Sequence, residues 1–379
     1  MKTLLLVGLC VLTSGMCVAQ EPDFVATSVQ FLGDIEALWD YDADGYGQLA
    51  WNTAYGMMAL NALYEATGDV HYLERQAVVA EEVLAHRDTD LAAVRGEEAY
   101  VDYQRGRVLN AWGTGYYSKK QHTCWVVHTG QLTYPIADFV RLVRQGGEAT
   151  AALRDRAEAM VPLLETAVHE FDDEWRESRS RGTGFYLWPN GTICPNNQMN
   201  ALGCVLFLLG DITGKAEYTD RARKMALFFA SALTHVADGD YYVWAYSQKT
   251  PDGPPGTGED ISHASINVNF AYVAWQHGAT FDDTDMVRLA NTVTKCIDLG
   301  NGNVATNLDR TGDDPTITCQ IGRWGMLARF DPAVERVILD YAKAHPGPPE
   351  SFKTTGALHD FTGALGYAFL ARARADRAR

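Results

Sequence analysis

The chain has 379 residues, of which 47% are hydrophobic and 21% charged, so it is long enough for one large fold or two ordinary domains. Its formal net charge is −16, without a basic run, which argues against nucleic acid or an anionic membrane as a partner. The same balance counts against a polyanionic substrate, unless basic residues are concentrated in the binding site.

The N-terminus has the pattern of a secretory signal peptide. Lys2 precedes an apolar run at residues 4–12, and small residues surround Ala19, as in signal sequences that are removed after export. The run is too short to span a bilayer. We therefore expect residues 1–19 to be a signal peptide, residues 20–379 to form one catalytic domain, and the protein to be secreted or periplasmic.

The most informative feature of the chain is a recurring unit of two helices joined by a short turn. Residues 58–84 and 202–233 both show an apolar helix, a Thr-Gly pair and a second helix, as expected for a helical repeat. Gly68 and Gly214 are predicted to end the leading helices in the left-handed conformation, and Asp69 to begin the next helix.

Weaker copies of this unit follow at residues 135–167, 266–297 and 322–344, with single predicted helices at residues 25–39 and 361–375. About twelve helices and almost no strand alternation predict an all-α protein, an (α/α)6 to (α/α)7 toroid of helical hairpins. An open solenoid that serves as a non-enzymatic binding scaffold is the alternative.

Polar and aromatic residues cluster in the linkers, just before or at the start of each leading helix. In a closed ring all leading helices point the same way, so these clusters are expected to meet at one mouth, where helix N-termini add positive potential. The predicted site residues from the clusters are Trp51, Asn52, His122, Trp125, His128, Asn197, Gln198, Glu259, Asp260, His263, Arg323 and Trp324, and a further cluster is His359-Asp360.

Aromatic residues in or beside the linkers indicate a carbohydrate ligand, because sugar rings pack their C–H faces on flat apolar side chains. Trp188 and Trp244 lie in short segments that are predicted to be extended, where alternation would place Tyr246 on the same side as Trp244. The aromatic set is Trp51, Tyr116, Tyr117, Trp125, Tyr186, Trp188, Tyr242, Trp244 and Tyr246.

The hairpin ring, the Asn196-Asn197-Gln198 start of a leading helix and the later Tyr, His and Arg residues resemble polysaccharide lyases with an (α/α) toroid, such as alginate and glucuronan lyases. The resemblance implies that Asn197 neutralises a uronate carboxylate, together with a His or Arg, and that Tyr246 is the catalytic tyrosine. One such family has Asn-Asn-His where this chain has Asn-Asn-Gln. The imidazole would then come from His263 or His128.

The implied reaction is β-elimination in a polysaccharide that contains uronic acid. A proton next to a carboxylate is only weakly acidic, so donors such as Asn197, His263 and Arg323 must stabilise the enolate that develops. Tyr246 has a reference pKa near 10 and needs cationic neighbours that lower this pKa before it can act as a base. It could then remove the C5 proton and protonate the leaving O4.

An inverting glycoside hydrolase on the same fold is the competing interpretation, with a sugar epimerase as a third. Inverting hydrolases use two carboxyl groups about 6.5–9.5 Å apart, and the acidic residues available are Asp40, Asp42, Glu259 and Asp260.

Neither a cofactor nor a metal is predicted, because the chain has no CxxC or HExxH motif. Five cysteines follow the predicted signal peptide, an odd number that cannot pair completely. Cys194 with Cys204, and Cys296 with Cys319, are conceivable disulfides that spacing does not distinguish.

Overall fold

The computed structural model describes residues 22–33, 47–248, 258–346 and 357–379, without the side chains of residues 357–360. Helices dominate these residues, and none of the described helices is long and apolar enough to cross a bilayer. The α-helices are α1 (Phe24–Leu32), α2 (Ala54–Thr67), α3 (His71–Ala85), α4 (Asp88–Arg95), α5 (Val126–Gln145), α6 (Arg154–His169), α7 (Asn196–Thr213), α8 (Ala216–Ala230), α9 (Ile261–Gln276), α10 (Asp283–Asn291), α11 (Pro315–Thr318), α12 (Ala333–Ala344) and α13 (Ala357–Ala378).

Six helical pairs close into a ring within the described residues. This confirms the predicted (α/α) toroid, with six pairs rather than seven. The inner layer runs through α2, α5, α7, α9, a 3-10 helix at Cys319–Arg329 and α13, and α13 packs against α2 to close it. The outer layer consists of α3, α6, α8, α10, α12 and α1. The first outer helix of the sequence thus pairs with the last inner one.

The two clearest repeats end their leading helices as predicted. Gly68 has φ 75° and Gly214 has φ 70°, and each donates its backbone N–H to the carbonyl four residues earlier. This left-handed conformation carries little steric cost for glycine. Asp69 accepts a hydrogen bond from the backbone of His71, 3.0 Å away, at the start of α3.

The inner helices are apolar around most of their circumference because they are covered on both sides. Every residue of α2 from Ala54 to Leu63 is buried, whereas the outer helix α12 buries only Val334, Val337, Ile338 and Tyr341. Gly130 allows α5 to approach α7 closely, since an added Cβ would lie 2.4 Å from the backbone nitrogen of Leu202. The core therefore lies between the two layers and between adjacent inner helices.

Short antiparallel hairpins occupy the linkers between helical pairs. In the described part of the chain they form four two-stranded sheets, β1–β2, β3–β4, β5–β6 and β7–β8. The strands are β1 (Gly113–Thr114), β2 (Thr123–Cys124), β3 (Trp175–Ser178), β4 (Thr183–Tyr186), β5 (Thr234–Val236), β6 (Tyr241–Val243), β7 (Asp298–Gly300) and β8 (Asn303–Val304).

An ion-pair network lies near the C-terminal ends of the inner helices. Glu65 of α2 pairs with Arg141 of α5 at 3.0 Å and with Arg372 of α13 at 2.8 Å. Arg141 also pairs with Asp138 at 2.6 Å. Arginine at these ends offsets the negative ends of the helix dipoles.

The described cysteines, from Cys124 to Cys319, are all free. Neither of the two conceivable disulfides forms. Cys204 lies on the buried inner helix α7 and accepts a hydrogen bond from Asn269, while Cys296 donates to the carbonyl of Leu308.

Candidate functional site

A cleft of about 480 Å³ opens at the end of the ring where the inner helices begin. Five of the six inner helices contribute residues from their first turns, and Gln48 and Trp51 come from the segment that leads into the sixth, α2. The volume is within the range of small-molecule sites. The cleft is lined by Gln48, Trp51, Tyr116, Tyr117, Trp125, Val127, His128, Trp188, Asn197, Gln198, Tyr246, Ser262, His263, Ile266, Cys319, Gln320, Arg323 and Thr362.

The four predicted catalytic residues, Asn197, Tyr246, His263 and Arg323, all line this cleft. Four of the predicted substrate-binding residues line it as well: Trp51, Trp125, His128 and Gln198.

Seven of the predicted substrate-binding residues do not line the cleft. Asn52, Trp244, Glu259 and Trp324 are almost completely buried. Tyr242 donates a 2.7 Å hydrogen bond to Asp285, away from the mouth. His122 pairs with Asp88, and Asp260 binds the backbone at the start of α9. The side chains of His359 and Asp360, like Asp40 and Asp42, lie outside the described residues.

Asp260 caps helix α9 and holds His263 in place. Its carboxylate accepts hydrogen bonds from the backbone N–H groups of Ser262 (3.0 Å) and His263 (3.1 Å) and from His263 Nδ1. Burial favours the neutral acid, but the hydrogen bonds from His263 and Ser262 outweigh it and lower the pKa of Asp260 to about 2. An ionised Asp260 requires Nδ1 to carry a proton, which leaves Nε2 of a neutral His263 as the acceptor.

Tyr246 lies beside His263, with ring centroids 5.1 Å apart in an edge-to-face arrangement. Burial raises its pKa; a hydrogen bond from Gln198 opposes that shift, and the charges of Glu259 and Asp260 add to it. The cationic environment that would turn this phenol into a base is thus not present in the described structure. The predicted alternation does not extend to Tyr246, because strand β6 ends at Val243. Trp244 is fully buried, whereas Tyr246 is 38% exposed.

Arg323 lies at the base of the cleft without an ion-pair partner among the described residues. Its guanidinium carbon is 3.7 Å from the centroid of the Tyr55 ring. Nη2 donates a 3.3 Å hydrogen bond to Thr362, whereas the buried Nε has no partner. Desolvation lowers the pKa of Arg323. A buried charge of this kind is costly unless a ligand neutralises it.

Two asparagines begin helix α7 at the cleft wall. Asn196 binds the Tyr246 segment, because its backbone N–H donates to the carbonyl of Tyr246 (3.0 Å) and its side chain to that of Ala245 (2.9 Å). Asn197 does not cap the helix, and its buried Oδ1 has no hydrogen-bond partner. This oxygen is an acceptor, so it is available to a donor such as a sugar hydroxyl.

His128 and His122 have different environments despite their closeness in sequence. His128 is buried against Trp51 and Tyr117, and desolvation lowers its pKa to about 3. His122 Nε2 lies 2.6 Å from Asp88, and the Cys124 thiol donates to the same oxygen at 3.1 Å. These three residues form a potential metal-binding group, but the distances are those of direct hydrogen bonds.

Several lining residues were not among the predicted site residues. Tyr116, Tyr117 and Trp188 carried a signal, as aromatic residues beside the linkers. Gln320 lies three residues before Arg323, a spacing that aligns side chains in a 3-10 helix. No feature of the sequence around Cys319 or Thr362 indicated that these residues would line the cleft.

No protein-family model matches the chain, and no curated protein matches it. Solved structures do. An inactive variant of the alpha-1,6-mannanase of Salegentibacter sp. HEL1_6, in complex with alpha-1,6-mannotriose, is 13% identical, with a TM-score of 0.52, and the match covers 93% of this chain and 97% of the mannanase. A polysaccharide lyase is 13% identical over 93% and 98% of the two chains, with a TM-score of 0.51. Dfg5 from Chaetomium thermophilum is 13% identical over 92% and 90%, with a TM-score of 0.50. These similarities establish a shared (α/α)-toroid fold.

Proposed function

We propose that the protein is a secreted polysaccharide lyase that cleaves a uronic-acid-containing polysaccharide by β-elimination. The observation that carries the proposal is Arg323, a buried cation without an ion-pair partner in the described residues, at the base of a cleft whose described lining contains no carboxylate. A uronate carboxylate would neutralise this charge. Similarity to a polysaccharide lyase of the same fold supports the proposal.

Arg323 and Asn197 are the residues proposed to bind the carboxylate. The guanidinium supplies the charge, and Nδ2 of Asn197, which lines the same cleft, is the group proposed to donate a further hydrogen bond. Both would strengthen as the C5 proton leaves, because the carboxylate then takes up enolate charge. Their role is therefore both to position the sugar and to stabilise the transition state.

Proton transfer is proposed to be divided between His263 and Tyr246. Nε2 of His263 takes the C5 proton, the released electron pair forms the C4–C5 double bond, and the bond from C4 to O4 breaks. The Tyr246 hydroxyl protonates the leaving O4, a role that suits a phenol whose pKa is raised. The proton on His263 then returns to Tyr246, whose ring lies beside it.

The inverting hydrolase is the second candidate, and similarity to the mannanase favours it. The described cleft gives it less support. Glu259 is buried with its pKa raised well above the usual range, and Asp260 is engaged by His263. A binding scaffold would not need six helix starts converging on a concave site.

The deciding experiment follows ultraviolet absorbance and reducing ends together during incubation with a panel of uronate and neutral polysaccharides. Elimination creates a double bond conjugated to the carboxylate, so new near-ultraviolet absorbance should accompany each new reducing end. Reducing ends without absorbance would replace the lyase by the hydrolase.

Tyr246→Phe tests the assignment of the general acid. The variant keeps the ring against His263 but removes the transferable proton, so kcat should fall by about 10²–10⁴-fold. Tyr103→Phe, at an exposed position outside the described cleft lining, is the matched control and should retain activity. Near-normal turnover of Tyr246→Phe would remove Tyr246 from the mechanism.

A further inference from the structure

Positive charge in the described lining of the cleft is confined to one position. Arg323 is its single Lys or Arg residue. His128 remains neutral at physiological pH because desolvation lowers its pKa to about 3. A positive charge on His263 would be balanced by Asp260, which is hydrogen-bonded to Nδ1.

The walls around Arg323 are aromatic or carry neutral polar groups. Tyr116 packs edge-to-face on Tyr117 with centroids 4.8 Å apart, and Trp125 packs similarly on Trp188 at 5.9 Å. Aromatic faces carry negative quadrupole charge, so they favour the C–H face of a neutral sugar over a carboxylate. Opposite them, Gln320 and Thr362 offer hydrogen bonds without charge.

We propose that the substrate is a polysaccharide in which a uronate is flanked by neutral sugars, with a single carboxylate bound at Arg323. The proposal rests on the proposed function and specifies the class of polysaccharide that the lyase would cleave. In a homopolymer of uronates, each neighbouring sugar would bring a carboxylate into a subsite without a matching cation, and its desolvation would be uncompensated.

The charge of the whole molecule agrees with this substrate. The chain has a net charge of −16, so a polyanion with one carboxylate per sugar is repelled more strongly than a chain of half that charge density. A homopolymer therefore meets a barrier to approach as well as unpaired carboxylates once it is bound.

The test compares two tetrasaccharides of equal length, one alternating glucuronate with a neutral hexose and one made of glucuronate alone, by near-ultraviolet absorbance and reducing ends. The alternating substrate should be eliminated with kcat/KM at least about tenfold higher. Equal or faster elimination of the all-glucuronate substrate would overturn the charge-pattern proposal and leave the lyase standing. Reducing ends without absorbance would overturn the lyase, and this proposal with it.

Two variants of Tyr117 provide a second test. The same two substrates are compared between proteins, so that differences between substrate preparations cancel. Tyr117→Lys adds a cation to a half-exposed position on the flanking wall, so it should shift the preference toward the all-glucuronate substrate by about tenfold. Tyr117→Phe is the control and should keep the original preference. An unchanged preference in Tyr117→Lys, with activity retained, would contradict the proposal.

Discussion

Arg323 combines two properties that oppose each other in the free protein. Its stacking on Tyr55 and its hydrogen bond to Thr362 hold the side chain in one position. Its burial without an anion nevertheless costs folding free energy. A group of this kind is retained when its use lies in binding rather than in stability.

Replacement of Arg323 by methionine should therefore separate stability from activity. Arg323→Met removes the unpaired charge and keeps an unbranched apolar side chain, so the free energy of unfolding should stay unchanged or rise by about 1 kcal/mol. Turnover of a uronate substrate should fall by about 10²–10³-fold. Denaturant unfolding and initial rates measure the two effects. A loss of stability above about 2 kcal/mol would show that stacking on Tyr55 dominates.

His128 should make the protein less stable in mild acid. Its folded pKa of about 3 lies below the ordinary histidine pKa of 6.5, so between these pH values the unfolded chain binds a proton that the folded chain does not. The contribution of His128 to the free energy of unfolding is fully present above about pH 6.5 and is lost as the pH drops toward 3. The loss at pH 4.5 is about 2–3 kcal/mol.

His128→Gln removes this titration and should reduce the difference in unfolding free energy between pH 7.5 and pH 4.5 by that amount. Parallel urea titrations at the two pH values would measure it. An identical pH dependence in the variant and the parent protein would contradict the assignment to His128.

Residue types near the linkers were sufficient to find the candidate site, but not to separate exposed from buried members. Trp51 and Trp125 line the cleft, whereas Trp244 and Trp324 lie in the core. All four occur beside polar residues at linkers, so their local sequences look alike. The difference depends on which side of each linker faces the ring axis, and long-range packing decides that.

At the scale of single elements, the start of α9 joins helix capping to the proposed chemistry. Asp260 accepts from two backbone N–H groups and from His263 Nδ1. One carboxylate thus satisfies the helix end and orients the proposed base. The geometry of His263 follows from the position of the helix start itself, which is rigid.

Two substitutions at Asp260 should separate these roles. Asp260→Asn keeps an oxygen that accepts from the backbone, whereas Asp260→Ala loses the cap and should be less stable than the Asn variant by about 1 kcal/mol. Both should lower kcat by about 10²-fold or more, because neither fixes the tautomer of His263. Thermal unfolding and kinetics would test this. Full activity in Asp260→Asn would exclude the carboxylate from the mechanism.

Helices were more predictable than linkers. The leading helices α2 and α7 combine a long apolar run with a Gly C-cap, two local signals that agree. The β-hairpins in the linkers have only two to four residues per strand, and the sequence indicated extended segments only beside Trp188 and Trp244, where β4 and β6 lie. Tyr116 and Tyr117 reach the cleft from the β1–β2 linker, so their position depends on a hairpin that sequence patterns did not reveal.

At the scale of the whole molecule, α13 closes the ring against α2, and α1 covers α13 as its outer partner. Phe24 is buried between Tyr367 and the guanidinium of Arg374, and Ser28 donates to the carbonyl of Ala364 at 2.8 Å. The ends of the described chain are therefore held together by contacts that are distant in sequence.

Phe24→Ala should weaken this closure. Removal of the buried ring leaves a cavity against α13 and should cost about 3–5 kcal/mol of unfolding free energy. Phe31→Ala is the matched control, because Phe31 also packs on Tyr367 but is 36% exposed, and its cost should be smaller. Equal losses for the two variants in urea unfolding would show that closure does not depend on the burial of Phe24.

The ion pairs of Glu65 join α2 to its neighbours α5 and α13 at the end of the ring opposite the cleft. Between the two ends the inner helices pack closely, because the cavity left beneath Arg323, among Tyr55, Gln131 and Phe369, is only about 10 Å³. The described ring is therefore a cup rather than a tunnel, and a polymer cannot thread through it. Substrate arrives and product departs through the same opening, so a fragment that lingers blocks the next chain. Product that accumulates should act as a competitive inhibitor, and its rate of departure sets an upper limit on turnover.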